Sequence, residues 1–340
     1  MKNLILILGL LLPLTVLTQN TTIEETNFPY PVSRIYGTDE HSAFTDLIRF
    51  NDVFYCSFRV GSDHAGGEDG KVRILRSQNG EQWETVALVD KPGLDLRDPK
   101  LSITPDGRIM VIMGGSVYEG KSRLDMRPQV SFSDREGASF SSPIEVHIDP
   151  ESGRKNSWIW RVTWNNGVGY GTRVQIKDHS PWRVSIDKTN DGSHFQEISQ
   201  LEVDGKANES TIRFDDQDNM YVIVRREGDD KVGVLAKSSP PYNNWKYQKL
   251  DFRLGGPNFL CLNKDKLVVG TRKYKDGVKT QILVTDLDGD VRKTFVLPSG
   301  GDTSYPGMLI YNEKLWISYY SSHEDGANIY LTKIPLKDLD

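Results

Sequence analysis

The chain has 340 residues, 37% hydrophobic, 26% charged and 10% aromatic, with a formal net charge of −5. That balance excludes a disordered chain, a coiled coil and a polytopic membrane protein, and without a lysine- or arginine-rich run it argues against a nucleic-acid partner. Six histidines and two cysteines are scattered without the spacing of a Cys/His zinc site, and no residue pattern calls for a metal or cofactor.

Met1-Lys2-Asn3 supplies one positive charge ahead of an apolar or small stretch over residues 4–17, interrupted by Gly9, Pro13 and Thr15. The stretch is too short to span a bilayer comfortably and ends in a polar segment, as a secretory signal peptide does. Residues 1–18 are therefore expected to be cleaved and residues 19–31 to form a linker. The mature chain is expected to be secreted or periplasmic, not membrane-bound, with a monomer favoured. Cys56 and Cys261 each sit in an apolar strand-like run and are expected to be buried free thiols.

Beyond the linker, short runs rich in Val, Ile, Tyr, Phe and Trp alternate with Asn, Asp and Gly turns, and one hairpin recurs. It runs from Leu47 through Asn51-Asp52 to Phe58, and from Leu101 through Pro105-Asp106-Gly107 to Ile112. Later copies turn at Asn165-Asn166-Gly167, Asp215 to Asn219, Lys264-Asp265 and Asn312-Glu313. Taking Asp52, Asp106, Asn166, Gln217, Lys264 and Glu313 as turn centres, the spacings are 54, 60, 51, 47 and 49 residues. A third strand follows each hairpin, beginning near Val72, Gln129, Arg183, Val232, Gln281 and Ile329. Repeated all-β units of this size predict a six-bladed β-propeller of four-stranded antiparallel blades, one domain over residues 32–340. The last unit ends after its third strand, so Val32-Ser33-Arg34-Ile35-Tyr36 is expected to close the ring and cover the open edge.

Ser77-Gln78-Asn79-Gly80-Glu81-Gln82-Trp83 and Thr189-Asn190-Asp191-Gly192-Ser193-His194-Phe195 share a Ser/Thr-x-Asp/Asn-Gly-x-x-aromatic pattern. Looser copies lie at Ser133 to Phe140 and at Thr285 to Gly289. Hydroxyl and Asx side chains there bond local amides, glycine takes a left-handed position, and the aromatic ring packs between strands. The segments entering the first strands are polar: His41 and Asp46, Arg97-Asp98, Trp160-Arg161, Glu209, Asn258 and Tyr305. Those leaving the second strands add Arg59, Arg173, Arg225, Arg226 and Arg272. Charges turned inward on a β scaffold need partners or a ligand, and this set suits an anionic sugar.

The turns resemble the Asp-boxes of sialidases, six-bladed propellers that hydrolyse terminal sialic acids. Ser304-Tyr305-Pro306-Gly307-Met308-Leu309 is similar to the stretch carrying that family's tyrosine nucleophile, and Asn208-Glu209-Ser210-Thr211-Ile212 to the one carrying its glutamate base. Val224-Arg225-Arg226 and Thr271-Arg272 match two arginines of the family. Phe58-Arg59-Val60-Gly61-Ser62-Asp63-His64 reproduces an arginine followed by an acid/base aspartate. The family's first carboxylate-binding arginine is missing, its place being taken by Ala43.

The resemblance implies that Tyr305 attacks the anomeric carbon once Glu209 takes its proton, a neutral nucleophile suiting an anionic substrate. Asp63 would protonate the leaving oxygen, with His64 as the alternative donor. Arg225, Arg272 and Arg59 or Arg97 would hold the carboxylate bidentately, and Trp160 would stack on the sugar. His41, Asp46, Asp98 and Arg161 complete the expected substrate-binding set. The expected partner is an anionic glycan, with hydrolytic removal of a terminal acidic sugar as the leading function. A uronate-directed lyase and a non-catalytic glycan-binding propeller are the alternatives.

Overall fold

A computed structural model describes residues 27–66, 70–150, 155–176, 182–228 and 230–340; the expected signal peptide and most of the linker lie outside these. The first strand, β1 (Val32–Tyr36), belongs to the last blade. Blade 1 holds β2 (His41–Phe50), β3 (Val53–Gly61), β4 (Lys71–Ser77) and β5 (Glu84–Val89). Blade 2 holds β6 (Asp95–Ile103), β7 (Ile109–Glu119), β8 (Ser122–Phe132) and the short β9 (Ile144–Glu145). The chain then lays β10 (His147–Asp149) parallel along the outer edge of blade 3, whose own strands are β11 (Ser157–Asn165), β12 (Val168–Gln175), β13 (Arg183–Thr189) and β14 (His194–Leu201). Blade 4 comprises β15 (Ala207–Phe214), β16 (Met220–Arg226), β17 (Val232–Ser238) and β18 (Lys246–Arg253). Blade 5 comprises β19 (Asn258–Cys261), β20 (Lys266–Lys273), β21 (Lys279–Asp286) and β22 (Val291–Val296). Blade 6 is made of β23 (Thr303–Tyr311), β24 (Lys314–Glu324) and β25 (Gly326–Pro335), to which β1 pairs antiparallel on the outside. The ring is closed by the strand that the sequence suggests, with β1 covering the outer edge of β25.

The burial pattern follows from this packing. Inner strands are covered on both faces by neighbouring blades, so Met220-Tyr221-Val222-Ile223-Val224 of β16 is apolar and buried without alternation. The outermost β18 is covered far less, and only Leu250 within it is fully buried. The turn glycines lock one blade onto the previous one. Gly80 has φ 73°, and an added Cβ would come within 2.3 Å of the Trp316 ring in blade 6. Gly137 bears in the same way on Tyr55 of blade 1, at 2.3 Å. Ser77 and Asn79 turn their oxygens to the amides of Gly80, Glu81 and Gln82, and Thr189 and Asp191 repeat this around Gly192. Cys56 is buried and Cys261 only half-buried, both as free thiols.

One irregularity recurs and positions the site. The innermost strands pair regularly with their neighbours except between Ala43 and Asp46, Arg97 and Lys100, Ile159 and Val162, Ala207 and Ser210, and Ser304 and Gly307. At each interruption two residues face one on the partner strand, which makes a β-bulge that re-aims side chains. The bulged residues are Phe44-Thr45, Asp98-Pro99, Trp160-Arg161, Asn208-Glu209 and Tyr305-Pro306. Phe44, Asp98 and Tyr305 take left-handed φ values of 66°, 51° and 53°. Blade 5 lacks a bulge in the pairing of β19 and presents Gly255-Gly256 just before that strand instead.

Candidate functional site

The bulges of the first, second, third, fourth and sixth blades converge near the axis, and Tyr305 stands at their centre. Its ring meets those of Phe44 at 4.9 Å, Trp160 at 5.7 Å and Tyr320 at 6.0 Å between centroids. Its hydroxyl donates to Glu209 Oε1 at 2.6 Å. The other carboxylate oxygen of Glu209 accepts from Arg225 Nη1 at 2.5 Å and from the Gly256 amide at 3.1 Å. Arg225 is the residue opposite the blade 4 bulge, so the same irregularity that turns Glu209 inward brings its counter-ion across from it. Arg225 Nη1 also lies 3.3 Å from the Tyr305 hydroxyl, and its remaining nitrogens bind Glu227, which in turn pairs with Arg253. Gly256 has φ 59°, and a Cβ there would come within 2.5 Å of the Tyr305 ring, so only glycine permits this amide to reach Glu209.

Electrostatics separate the two partners. Burial, then the Glu209 charge, pushes the Tyr305 phenol well above its ordinary 10.0. Burial alone would raise Glu209, but the Arg225 guanidinium, with the Tyr305 hydroxyl and Arg272, outweighs it and holds the carboxyl below its ordinary 4.5. At rest the pair is therefore neutral phenol and carboxylate, and the proton can pass to Glu209 only as the phenol oxygen forms a new bond.

Arg272 closes the other side. Its Nε donates to the Thr303 carbonyl at 2.8 Å, Nη2 donates to the Tyr320 hydroxyl at 3.2 Å, and the guanidinium lies 5.7 Å from the Tyr305 ring centroid. Tyr320 donates to Asp302 Oδ1 at 2.7 Å, while Asp302 Oδ2 faces His41 Nε2 at 2.9 Å and His64 Nδ1 at 2.6 Å. Burial opposes ionisation of Asp302, but the two histidines, together with Tyr320, hold its carboxyl far below the usual range. Asp98 is half-buried on its bulge; burial raises its carboxyl against the pull of Arg97 and Lys100, with Glu209 and His64 nearby. Arg97 donates to the Tyr118 hydroxyl at 3.2 Å and lies over the Phe44 ring at 5.3 Å.

Several expected substrate contacts have other roles. Arg59 has no exposure at all; it pairs with Asp95 at 2.7 Å and donates to the Asp63 carbonyl at 2.7 Å, clamping blade 1 to blade 2 out of a ligand's reach. Asp46 and Arg161 are buried against each other at 2.6 Å, and Asp46 also accepts from the Leu101 amide at 2.7 Å, which ties together the first three blades. Trp160 is buried and supports Tyr305 from behind, with the Lys100 ammonium 4.8 Å from its ring centroid, so it offers no open face to a sugar. Asp63 is exposed, and His64, not Asp63, reaches the Asp302 cluster.

Sequence reasoning missed Phe44, Lys100, Gly256, Asp302 and Tyr320. Asp302 carried a signal, an acid three residues before Tyr305 on the same entry segment. Phe44 carried none, because its inward aim comes from the bulge. It is next in sequence to Ala43, which holds the place of the absent arginine, and its ring packs on that of Tyr320 at 5.6 Å.

No protein-family model matches the chain, and none of the curated proteins does. Among solved structures, a protein of unknown function from Dyadobacter fermentans superposes with a TM-score of 0.79 at 18% identity, covering 92% of this chain and 100% of that one. Trypanosoma rangeli sialidase in complex with the inhibitor DANA gives 0.69 at 12% identity, covering 87% of this chain and 55% of that one. The chain thus spans about half the length of that enzyme. The NanB sialidase of Streptococcus pneumoniae gives 0.70 at 10% identity, covering 91% of this chain and 71% of that one. The chain shares the six-bladed propeller fold of these structures at low sequence identity.

Proposed function

We propose that the protein is an exported glycoside hydrolase that removes a terminal acidic sugar, a sialic acid or a related ulosonic or uronic acid, from glycans. The observation that carries this reading is the Tyr305–Glu209 hydrogen bond at 2.6 Å, buried at the propeller axis and flanked by Arg225 and Arg272. Two solved sialidases of the same fold support it. Tyr305 attacks the anomeric carbon while its proton passes to Glu209. Water then displaces the tyrosine from the glycosyl-enzyme, and Glu209 returns the proton. Arg225 and Arg272 bind the substrate carboxylate. Ala43 stands at the place of the family's first arginine and the next residue, Phe44, packs on Tyr305, so two arginines hold the carboxylate here.

The test is a panel of terminal acidic glycosides analysed by mass spectrometry. Hydrolysis abolished by both Tyr305→Phe and Glu209→Gln, together with a sugar adduct on the Tyr305 peptide from a fluorinated acidic glycoside, supports the assignment. Turnover in both variants, an unsaturated sugar product, or binding with no turnover rejects it.

A further inference from the structure

The Tyr305–Glu209 pair supplies a nucleophile and its base but no proton for the departing oxygen. Asp63, which the resemblance points to, is exposed and engages Arg59 through its backbone carbonyl. The next residue is placed differently. His64 lies with its ring edge-on to Phe44 at 5.0 Å, and Phe44 in turn touches Tyr305 at 4.9 Å. The imidazole is therefore one aromatic ring away from the nucleophile, and its side chain is 47% exposed.

Its partner is immobilised. Asp302 Oδ2 receives both His64 Nδ1 at 2.6 Å and His41 Nε2 at 2.9 Å, Oδ1 accepts from Tyr320 at 2.7 Å, and the Asp302 amide donates to Ser322 Oγ at 2.8 Å. Arg272 Nη2 stands 3.9 Å from Oδ1. From the neighbouring blade, β6 presents Asp98 and Arg97. A carboxylate accepts and cannot donate, so it fixes the proton of His64 on Nδ1 and leaves Nε2 as the free, reactive nitrogen.

These donor atoms lie within 4.8 Å of one another, a spacing that would also admit a divalent cation. Coordination through His41 Nε2 would force its proton onto Nδ1, which is buried without a hydrogen-bond partner. Metal-bound histidines normally donate that proton to an acceptor, and a buried orphan donor is costly. The hydrogen-bonded arrangement leaves only a lone pair there.

Building on the glycosidase reading above, we propose that His64, oriented by Asp302, is the acid/base residue of this site. As Tyr305 Oη bonds to the anomeric carbon and the glycosidic C–O bond breaks, the proton on Nε2 of the imidazolium passes to the leaving oxygen. In the second half, neutral Nε2 takes a proton from water, whose oxygen bonds to the anomeric carbon as Tyr305 departs. His64 is thereby returned to its protonated state. Asp302 is a positioning residue.

The experiment compares two glycosides of the same acidic sugar, one with a sugar alcohol leaving group and one with nitrophenol, which leaves without protonation. His64→Gln is expected to lower kcat/KM about 10²- to 10⁴-fold on the first and less than about tenfold on the second. Asp302→Asn should move in the same sense by a smaller factor, with both variants keeping the wild-type circular dichroism spectrum. Equal losses on the two substrates, or a leaving-group-selective loss in Asp63→Asn in place of His64→Gln, overturn the assignment. A second readout needs no turnover and so separates failure of this assignment from failure of the glycosidase reading. At a pH where the imidazole is neutral, long-range ¹H–¹⁵N spectra of the full chain should place the His64 proton on Nδ1 and show it redistributed toward Nε2 in Asp302→Asn. An unchanged tautomer refutes the pairing, whatever the protein hydrolyses. Stoichiometric binding of zinc by the wild type, lost in His64→Gln, would also overturn it by making the cluster a metal site.

Discussion

Replacing Glu209 with glutamine keeps the shape of the side chain and removes its charge. The carboxylate accepts three hydrogen bonds, from Tyr305 at 2.6 Å, Arg225 at 2.5 Å and the Gly256 amide at 3.1 Å. A glutamine oxygen can still face Arg225 and Gly256, but its amide then points at the Tyr305 oxygen and the phenol proton loses its acceptor. Arg225 retains Glu227 at 2.5 Å, so it is not an orphaned buried charge, and the cost stays below that of breaking an isolated buried pair. Losing charge-assisted hydrogen bonds of this kind costs about 2 kcal/mol, a minor share of the 5–15 kcal/mol typical of a folded domain. Loss of a positioned base lowers the rate about 10²- to 10⁴-fold, or about 3–5 kcal/mol of barrier. Urea denaturation and kcat/KM on the hydrolysed glycoside should therefore dissociate: a modest shift in midpoint and a collapse in turnover. A variant that keeps more than about a tenth of the wild-type kcat/KM refutes Glu209 as the base of Tyr305. Parallel collapse of stability and activity would reassign it to structure.

Gly256→Ala should disable the same pair by a different route. Its Cβ would meet the Tyr305 ring at 2.5 Å and its φ of 59° disfavours any side chain, so activity should fall at least tenfold while circular dichroism stays unchanged. The Arg59–Asp95 clamp is wholly buried, and Asp95→Asn leaves an uncompensated guanidinium, so stability should drop by about 3–5 kcal/mol in urea titrations; a drop below 1 kcal/mol would show the clamp to be dispensable. Lys100 is buried, and burial, opposed by Asp46, lowers its ammonium from 10.5 to about 8. Because the unfolded chain holds this proton up to higher pH than the folded one, the penalty is fully present below pH 8 and is relieved as pH rises toward 10.5. Relative to Lys100→Met, the wild type should gain about 2 kcal/mol between pH 7.5 and 9.5, and a constant difference across that range would contradict the buried-cation assignment.

The architecture was legible because a propeller repeats. Each blade restates a strand, a turn and a strand, and local chemistry marks the turns, so the spacing of Asp52, Asp106, Asn166, Gln217, Lys264 and Glu313 suffices to count six blades, and the unpaired Val32–Tyr36 strand to close them. Tyr305, Glu209, Arg225 and Arg272 were legible for a related reason: each sits where an inner strand enters or leaves the axis. Whether a polar residue at such a point meets a ligand or a neighbouring blade depends on partners distant in sequence. Arg59 and Arg226 occupy corresponding strand ends and are both buried in ion pairs, with Asp95 and Asp230, whereas Arg225, one residue earlier than Arg226, stands opposite the bulge that turns Glu209 toward it. The pairing of His41 and His64 with Asp302, more than two hundred residues away, follows from ring closure, which sets blade 6 beside blade 1. The sequence by itself determined the repeat, its count and the chemistry available at the axis, because turns and alternation are local. Only the tertiary structure decided which of those charges neutralise one another, because that depends on the direction a bulged backbone gives each side chain.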